Sequence, residues 1–303
     1  MKAASVFFCT FVAVFSASAQ DPAPATSQPE NPRSGPLFRV TVVSRTTKAI
    51  NYGHLTEPTK IGLKGTILLP ESEGEARVQS KRGAVEIEAK VNRLEAPTRF
   101  GPEYLTYVLW AITPEGRPVN LGELVPDPSN KARLKVSTDL QAFALIVTAE
   151  PYFSVMHPSD VVVMENVTRP DTAGKVEEID AQYELLPRKQ FTYNAGTPPA
   201  GAEGPKLSMD EYEALLAVYQ AQNAIQIAKS AAADHYAPDT LQKAQQLYQH
   251  AVALQSQKSS SRQIVTAARE AAQTAEDARA ISVKRHDEER SRKERSTTAP
   301  PTP

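Results

Sequence analysis

Residues 104–112 read Tyr-Leu-Thr-Tyr-Val-Leu-Trp-Ala-Ile and run directly into Thr113-Pro114-Glu115-Gly116. Apolar side chains on both faces of this run mark a central strand covered on each side, and the Pro and Gly that follow supply the turn that ends it. On either side of it the pattern is of shorter strands. Phe38, Val40 and Val42 alternate with polar neighbours. Val85, Ile87, Ala89 and Val91 do the same, with Glu86, Glu88, Lys90 and Asn92 between them. Period two with one wet side is the signature of a surface strand. Further strands are predicted over 61–69, 132–138, 142–149 and 160–167, and a weaker one near 181–186. Short strands punctuated by turns predict an antiparallel sandwich spanning 37–193.

The composition then changes. Residues 194–205 (NAGTPPAGAEGP) offer nothing to pack, so 194–206 reads as a flexible linker. Ser208 followed by Glu211 forms a capping box that opens a helix running to about Asp234. Met209, Tyr212, Leu216 and Tyr219 fall on one stripe of it, continued by Ile225 and Ala228. Pro238 interrupts the helix and opens the next, where Leu241 and Tyr248, Ala244 and Ala251, and Leu247 and Leu254 recur seven apart. Ser259-Ser260-Ser261 makes a second break, with Ser260 and Gln263 as another capping box. Beyond it Ile264, Ala271 and Ala278 share one heptad line, and Ala268 and Ala275 the other. Three helices with short connections predict an antiparallel bundle over 207–295, with a disordered tail at 296–303. The expected fold is thus an all-β sandwich followed by an all-α antiparallel helical bundle or hairpin with coiled-coil-like heptads. Alanine seams bury little area, and at roughly 25 cal/mol per Å² such a bundle is expected to be marginal unless partnered.

At the amino end, Met1-Lys2 precedes an apolar stretch from Ala3 to Ala17, and Ala17-Ser18-Ala19 presents small residues where a signal peptidase cuts. Residues 1–19 are therefore expected to be a signal peptide, cleaved before Gln20. The stretch is shorter than the roughly 20 residues needed to span a bilayer. Residues 20–36, rich in Pro, Ser and Ala, read as a disordered lead. The only cysteine, Cys9, lies inside the leader behind Phe7-Phe8, which argues against lipidation and excludes both a disulfide scaffold and a cysteine zinc site. The expected product is exported, periplasmic or extracellular, without a transmembrane segment. With 34 Lys+Arg against 35 Asp+Glu, the chain lacks the basic excess a general nucleic-acid binder needs.

No reactive constellation stands out. His54, His157, His235, His250 and His286 do not fall at metal-ligand spacing. No G-x-S-x-G, Walker or G-x-G-x-x-G motif occurs. Glu86 and Glu88 share a strand face, but with Lys90 beside them they read as wet surface. Trp110, between Leu109 and Ala111, reads as core rather than as a sugar platform. Tyr104, Tyr107, Tyr152 and Phe153 read as core or rim, and Asn166-Val167-Thr168 fits a glycosylation sequon. Lys284 to Arg295 is the most charged stretch. Glu288–Arg292 and Glu289–Lys293 lie four apart in it, as on a solvated helix end, with contact to peptidoglycan or another anionic surface as the alternative. No catalytic, cofactor-binding or metal-binding residues are assigned, and no cofactor or enzymatic activity is expected.

Two segments resemble known families. Ala221 to about Arg285 resembles an uncharacterised alanine-rich helical domain family of bacterial envelope proteins, often found beside OmpA-like peptidoglycan-binding domains. The resemblance rests on Ala224-Ile225-Gln226-Ile227-Ala228, on Tyr236-Ala237-Pro238-Asp239-Thr240-Leu241 with Ala244 and Leu247, and on the alanines from Ala267 to Ala280. It implies a periplasmic, non-enzymatic role and brings no catalytic residues. No OmpA-like domain follows, so wall binding is not implied. Residues 104–124 (YLTYVLWAITPEGRPVNLGEL) look like the strand–turn–strand core of the extracytoplasmic sandwich domain of some anti-sigma factors, which implies fold and not function. The expected function is a structural or adaptor role in the cell envelope. It would work through protein–protein or envelope contacts, including an envelope protein partner or self-association of the helices. The alternative is a carbohydrate- or peptide-binding β-sandwich module carried on a helical spacer.

Overall fold

The alternation that predicts strands is realised in an antiparallel sheet. The computed structural model describes residues 41–298 apart from 45–46, 54, 56, 82, 174, 180–181 and 186–206. The expected signal peptide (1–19), lead (20–36) and linker (194–206), together with Phe38, Val40 and His54, lie outside the described residues. The strands are β1 (Thr41–Ser44), β2 (Thr47–Asn51), β3 (Thr59–Gly65), β4 (Glu73–Lys81), β5 (Ala84–Asn92), β6 (Thr106–Ile112) and β7 (Pro118–Leu124). They are followed by β8 (Ala132–Thr138), β9 (Ala142–Glu150), β10 (Val162–Val167), β11 (Lys175–Ile179) and β12 (Gln182–Leu185). One continuous sheet runs β8-β5-β4-β3-β10-β9, and the other edge of β9 pairs with β6, which pairs with β7. β2 joins the start of β9 and carries β11, while β1 and β12 form a separate ladder. β7 comes back beside β8, so the sheet curls until it is nearly closed and its two layers face one another across a single interior.

β5 shows the predicted wet side: Val85, Ile87, Ala89 and Val91 are buried, while Glu86, Glu88 and Lys90 are half-exposed. β4, which has no counterpart among the expected strands, uses small inward residues, Gly74, Ala76 and Val78, and so carries a weak hydrophobic signal. β6 is buried at every position. Its Tyr107, Leu109 and Ala111 fill the sheet interior, whereas Val108, Trp110 and Ile112 face the helices. The double coverage read from residues 104–112 therefore comes from the curled sheet on one side and the bundle on the other.

The helices are α1 (Met209–Ser230), α2 (Ala233–Tyr236), α3 (Pro238–Ser256) and α4 (Ser261–Thr298). The Ser208–Glu211 capping box opens α1: the Glu211 N–H donates to Ser208 Oγ at 3.3 Å and the Ser208 N–H to Glu211 Oε2 at 2.8 Å. Pro238 stands at the first turn of α3, and Ser260 donates to Gln263 Oε1 at the start of α4. Of the expected stripe of α1, Leu216, Ile225 and Ala228 are buried, but the tyrosines are not. Ala214, Ala217, Ala221, Ala224 and Ala228 are buried, while Tyr212 and Tyr219 are 41% and 42% exposed. Small side chains allow α1 to approach α4 and the sheet closely, and a tyrosine would hold them apart.

The alanine seam is closed within the chain. Ala268, Ala271, Ala272, Ala275 and Ala278 of α4 are fully buried in one core with α1, α3 and the outer-facing Val108, Trp110, Ile112, Ala144, Ile146 and Val162. The helices, expected as a spacer or docking surface, pack against the outer faces of β6, β9 and β10. Among the described residues no helix is long and apolar enough to cross a membrane.

Candidate functional site

The segment between β9 and β10, residues 151–161, is where sheet and bundle meet. β9 is apolar from Ala142 to Val147, but its last residue, Glu150, faces outward toward the helices and is completely buried. The next residue but one, Tyr152, is buried as well, and its hydroxyl donates to Glu276 Oε2 of α4 at 2.6 Å. Glu276 also accepts the Met156 N–H at 3.0 Å and both arms of Arg279, at 2.6 and 2.7 Å. Glu276 and Arg279 lie three apart on the inward face of α4, in line with Ala268 and Ala272. This pair is 0% and 5% exposed, yet each oxygen of the carboxylate accepts two hydrogen bonds. Burial works against the Arg279 charge, but Glu276 outweighs it and keeps the guanidinium protonated.

Glu150 is less well served. Its Oε1 accepts from the Ser159 N–H at 2.7 Å and from the Thr148 hydroxyl, which itself accepts from Trp110 Nε1 at 2.8 Å. Its Oε2 is buried with no partner among the described residues. Desolvation pushes the Glu150 carboxyl up to about 8 against the hydrogen bonds from Ser159 and Thr148, and the nearby Glu276 adds to the rise. At neutral pH Glu150 is an acid that keeps its proton.

Other ties fasten the same junction. Gln220 of α1 accepts the Phe153 N–H at 2.9 Å and donates to Glu123 Oε1 of β7 at 2.5 Å. Arg269 of α4 reaches the other oxygen of Glu123 at 2.5 Å and lies 4.6 Å over the Phe153 ring. Asn223 donates to the Glu103 and Pro151 carbonyls, and Asn120 to those of Phe153 and Val155. A segment held this way is a latch: most polar groups it takes from water are repaid by one on another element, though among the described residues Glu150 Oε2 and Ser154 Oγ are buried without one.

The residues weighed from the sequence fall elsewhere or into the core. Trp110, Tyr104, Tyr107 and Tyr152 are at most 1% exposed, so none offers a stacking face. Tyr107 donates to the Glu95 carbonyl at 2.7 Å. Glu86 pairs with Lys81 at 2.7 Å and Glu88 with Lys90 at 3.1 Å, which lowers both carboxyls on a wet surface. Asn166 is buried: its Oδ1 accepts the Leu145 N–H and its Nδ2 donates to the Lys48 carbonyl, so the sequon amide is already in use. Of the two charge pairs on the helix end, Glu289–Lys293 forms, at 2.5 Å. Lys293, with the Tyr236 hydroxyl, holds the Glu289 carboxyl near 2. Among the described residues, no group of three or more His, Cys, Asp and Glu could hold a metal ion.

The latch itself escaped the sequence reading. Glu150 ends an apolar strand, and Glu276 and Arg279 interrupt the inward line of an alanine-rich helix, a signal that carries meaning only once that line is known to be buried.

Larger surface hollows lie elsewhere among the described residues. One of about 770 Å³ lies over the charged outer face of β4, β5 and β8, with Glu73, Glu75, Lys90, Lys131, Arg133 and Arg169. A second, about 590 Å³, is a cleft between α1 and α3. A third, about 520 Å³, is lined by Pro97, Pro126, Pro128, Met209 and Tyr212. No protein-family model matches the chain, and no curated protein matches it.

Proposed function

We propose that this chain is an exported, non-enzymatic protein of the bacterial cell envelope that acts as an adaptor through its surfaces. The observation that supports the reading is the fate of the buried ionisable cluster. Glu276, Arg279 and Tyr152 saturate one another in fastening the bundle to the sheet, and Glu150 is sealed beside them with no exposure. A general base needs a lone pair within reach of a substrate, and the four bonds to Glu276 leave none free. The leader-like residues 1–19 support export. On this reading, sheet and bundle form a preassembled scaffold, and partners meet its exposed helix and strand faces.

The test is expression of the whole chain, leader included, in a Gram-negative cell, followed by fractionation, mass measurement and crosslinking in intact cells. Cleavage before Gln20, recovery with the periplasm and a crosslink to an envelope protein are expected. An unprocessed cytoplasmic product, or hydrolysis of an envelope polymer by the purified protein, overturns the reading.

A further inference from the structure

The cleft between α1 and α3 has an unusual lining. Gln222 and Gln226 come from one helix and Gln242, Gln245, Gln246 and Gln249 from the other. Among the described residues none of these six amides has a hydrogen-bond partner, in contrast to Gln220, which is bonded at both ends. Charged residues make up 23% of the chain, but Lys229 is the one charge among the nine residues lining the cleft. Tyr248 is half-buried in it, and Tyr219, exposed on the same side of α1, lies near enough to influence the Tyr248 hydroxyl. Six glutamines and one tyrosine beside a single charge make a neutral surface, and depletion of charge is a mark of an interface centre.

We propose that this α1/α3 face is the two-fold interface with a second copy of the same chain. A two-fold contact sets a patch against itself, so a fixed charge close to the axis meets its own kind. A primary amide carries two donors and an acceptor and pairs with another amide, which makes a glutamine surface self-complementary where a Lys or Glu surface is not. The area is also adequate. Helices of 22 and 19 residues give a face about 30 Å long, and two helices side by side are about 20 Å wide. That footprint of about 600 Å² approaches the roughly 800 Å² per partner of a standard interface. One copy of α3 would sit in the other's cleft and the reverse, giving a four-helix contact.

This deepens the adaptor reading by naming a partner, and its test is independent of where the protein resides. Sedimentation of the protein without residues 1–19, from about 1 to 100 µM, is expected to show a monomer–dimer equilibrium. Gln226→Glu with Gln245→Glu places four new negative charges across the axis and is expected to raise the dimer Kd at least ten-fold without altering the circular dichroism spectrum. Asn92→Asp, an exposed position at the end of β5, is expected to leave the Kd unchanged. A monomer at every concentration, a dimer indifferent to the glutamate pair, or saturable binding of a neutral oligosaccharide by a monomer overturns the proposal.

Discussion

Two cores in this molecule are built on different principles. The interior of the curled sheet is filled by large apolar side chains, among them Ile61, Ile87, Leu109, Phe143, Leu145 and Val147, and Tyr52 packs its ring 4.7 Å from that of Phe143. The core between sheet and helices is largely alanine, supplemented by the outer faces of β6 and β9, and it contains Glu276 and Arg279. The difference is one of area per contact. At about 25 cal/mol per Å², a buried alanine contributes far less than an isoleucine. The sheet interior can rely on burial alone, whereas the bundle is oriented on the sheet by directional polar bonds. A buried ion pair is a weak source of net stability, but breaking one is costly; here it fixes which way the helices face.

The contrast can be tested first through pH. An unfolded Glu150 ionises near 4.5, whereas the folded one holds its proton to about 8. Folding therefore takes up a proton between those values. The stability that Glu150 contributes is complete below pH 4.5, falls by about 1.4 kcal/mol per pH unit, and is lost above pH 8. The ceiling is on the order of 5 kcal/mol. Urea midpoints of wild type and Glu150→Gln from pH 5 to 9 should diverge, the variant lacking this component of the slope. Parallel curves would show that Glu150 does not carry it.

Arg279→Ala should cost about 3–5 kcal/mol in chemical denaturation, because it strands the Glu276 charge in the core. The double variant Glu276→Met with Arg279→Met should recover most of that loss. The two cores should also respond oppositely to size. Ile87→Ala in the sheet interior is expected to cost about 2–5 kcal/mol through the cavity it leaves, and Ala271→Leu between the helices about 1–3 kcal/mol by overpacking. Equal tolerance of Ala271→Leu and wild type would mean that the helix seam is looser than its burial implies. Smallest, Ser208→Ala removes the cap of α1 and should lower the unfolding free energy by about 1 kcal/mol.

How far the fold is readable from the chain depends on the range of the interaction. Period two over residues 85–92, the caps at Ser208 and Ser260, and the break at Pro238 arise between residues a few positions apart, and each appears where the pattern places it. β4 is obscured because Gly74 and Ala76 are apolar only by their surroundings. The tyrosines of α1 mislead because the face that packs closely combines alanines with Leu216, Ile225 and Ile227 and leaves the rings outside.

Sequence alone settles that there is a region of short strands, then a region of alanine-rich helices, because propensity, periodicity and capping are local. Docking the second on the first, and with it the latch, is decided by the tertiary structure. Tyr152 and Glu276 are 124 positions apart, and nothing in either neighbourhood marks the other as its partner. A carboxylate becomes a buried one only when another element excludes water from it, and that is a property of the assembled fold.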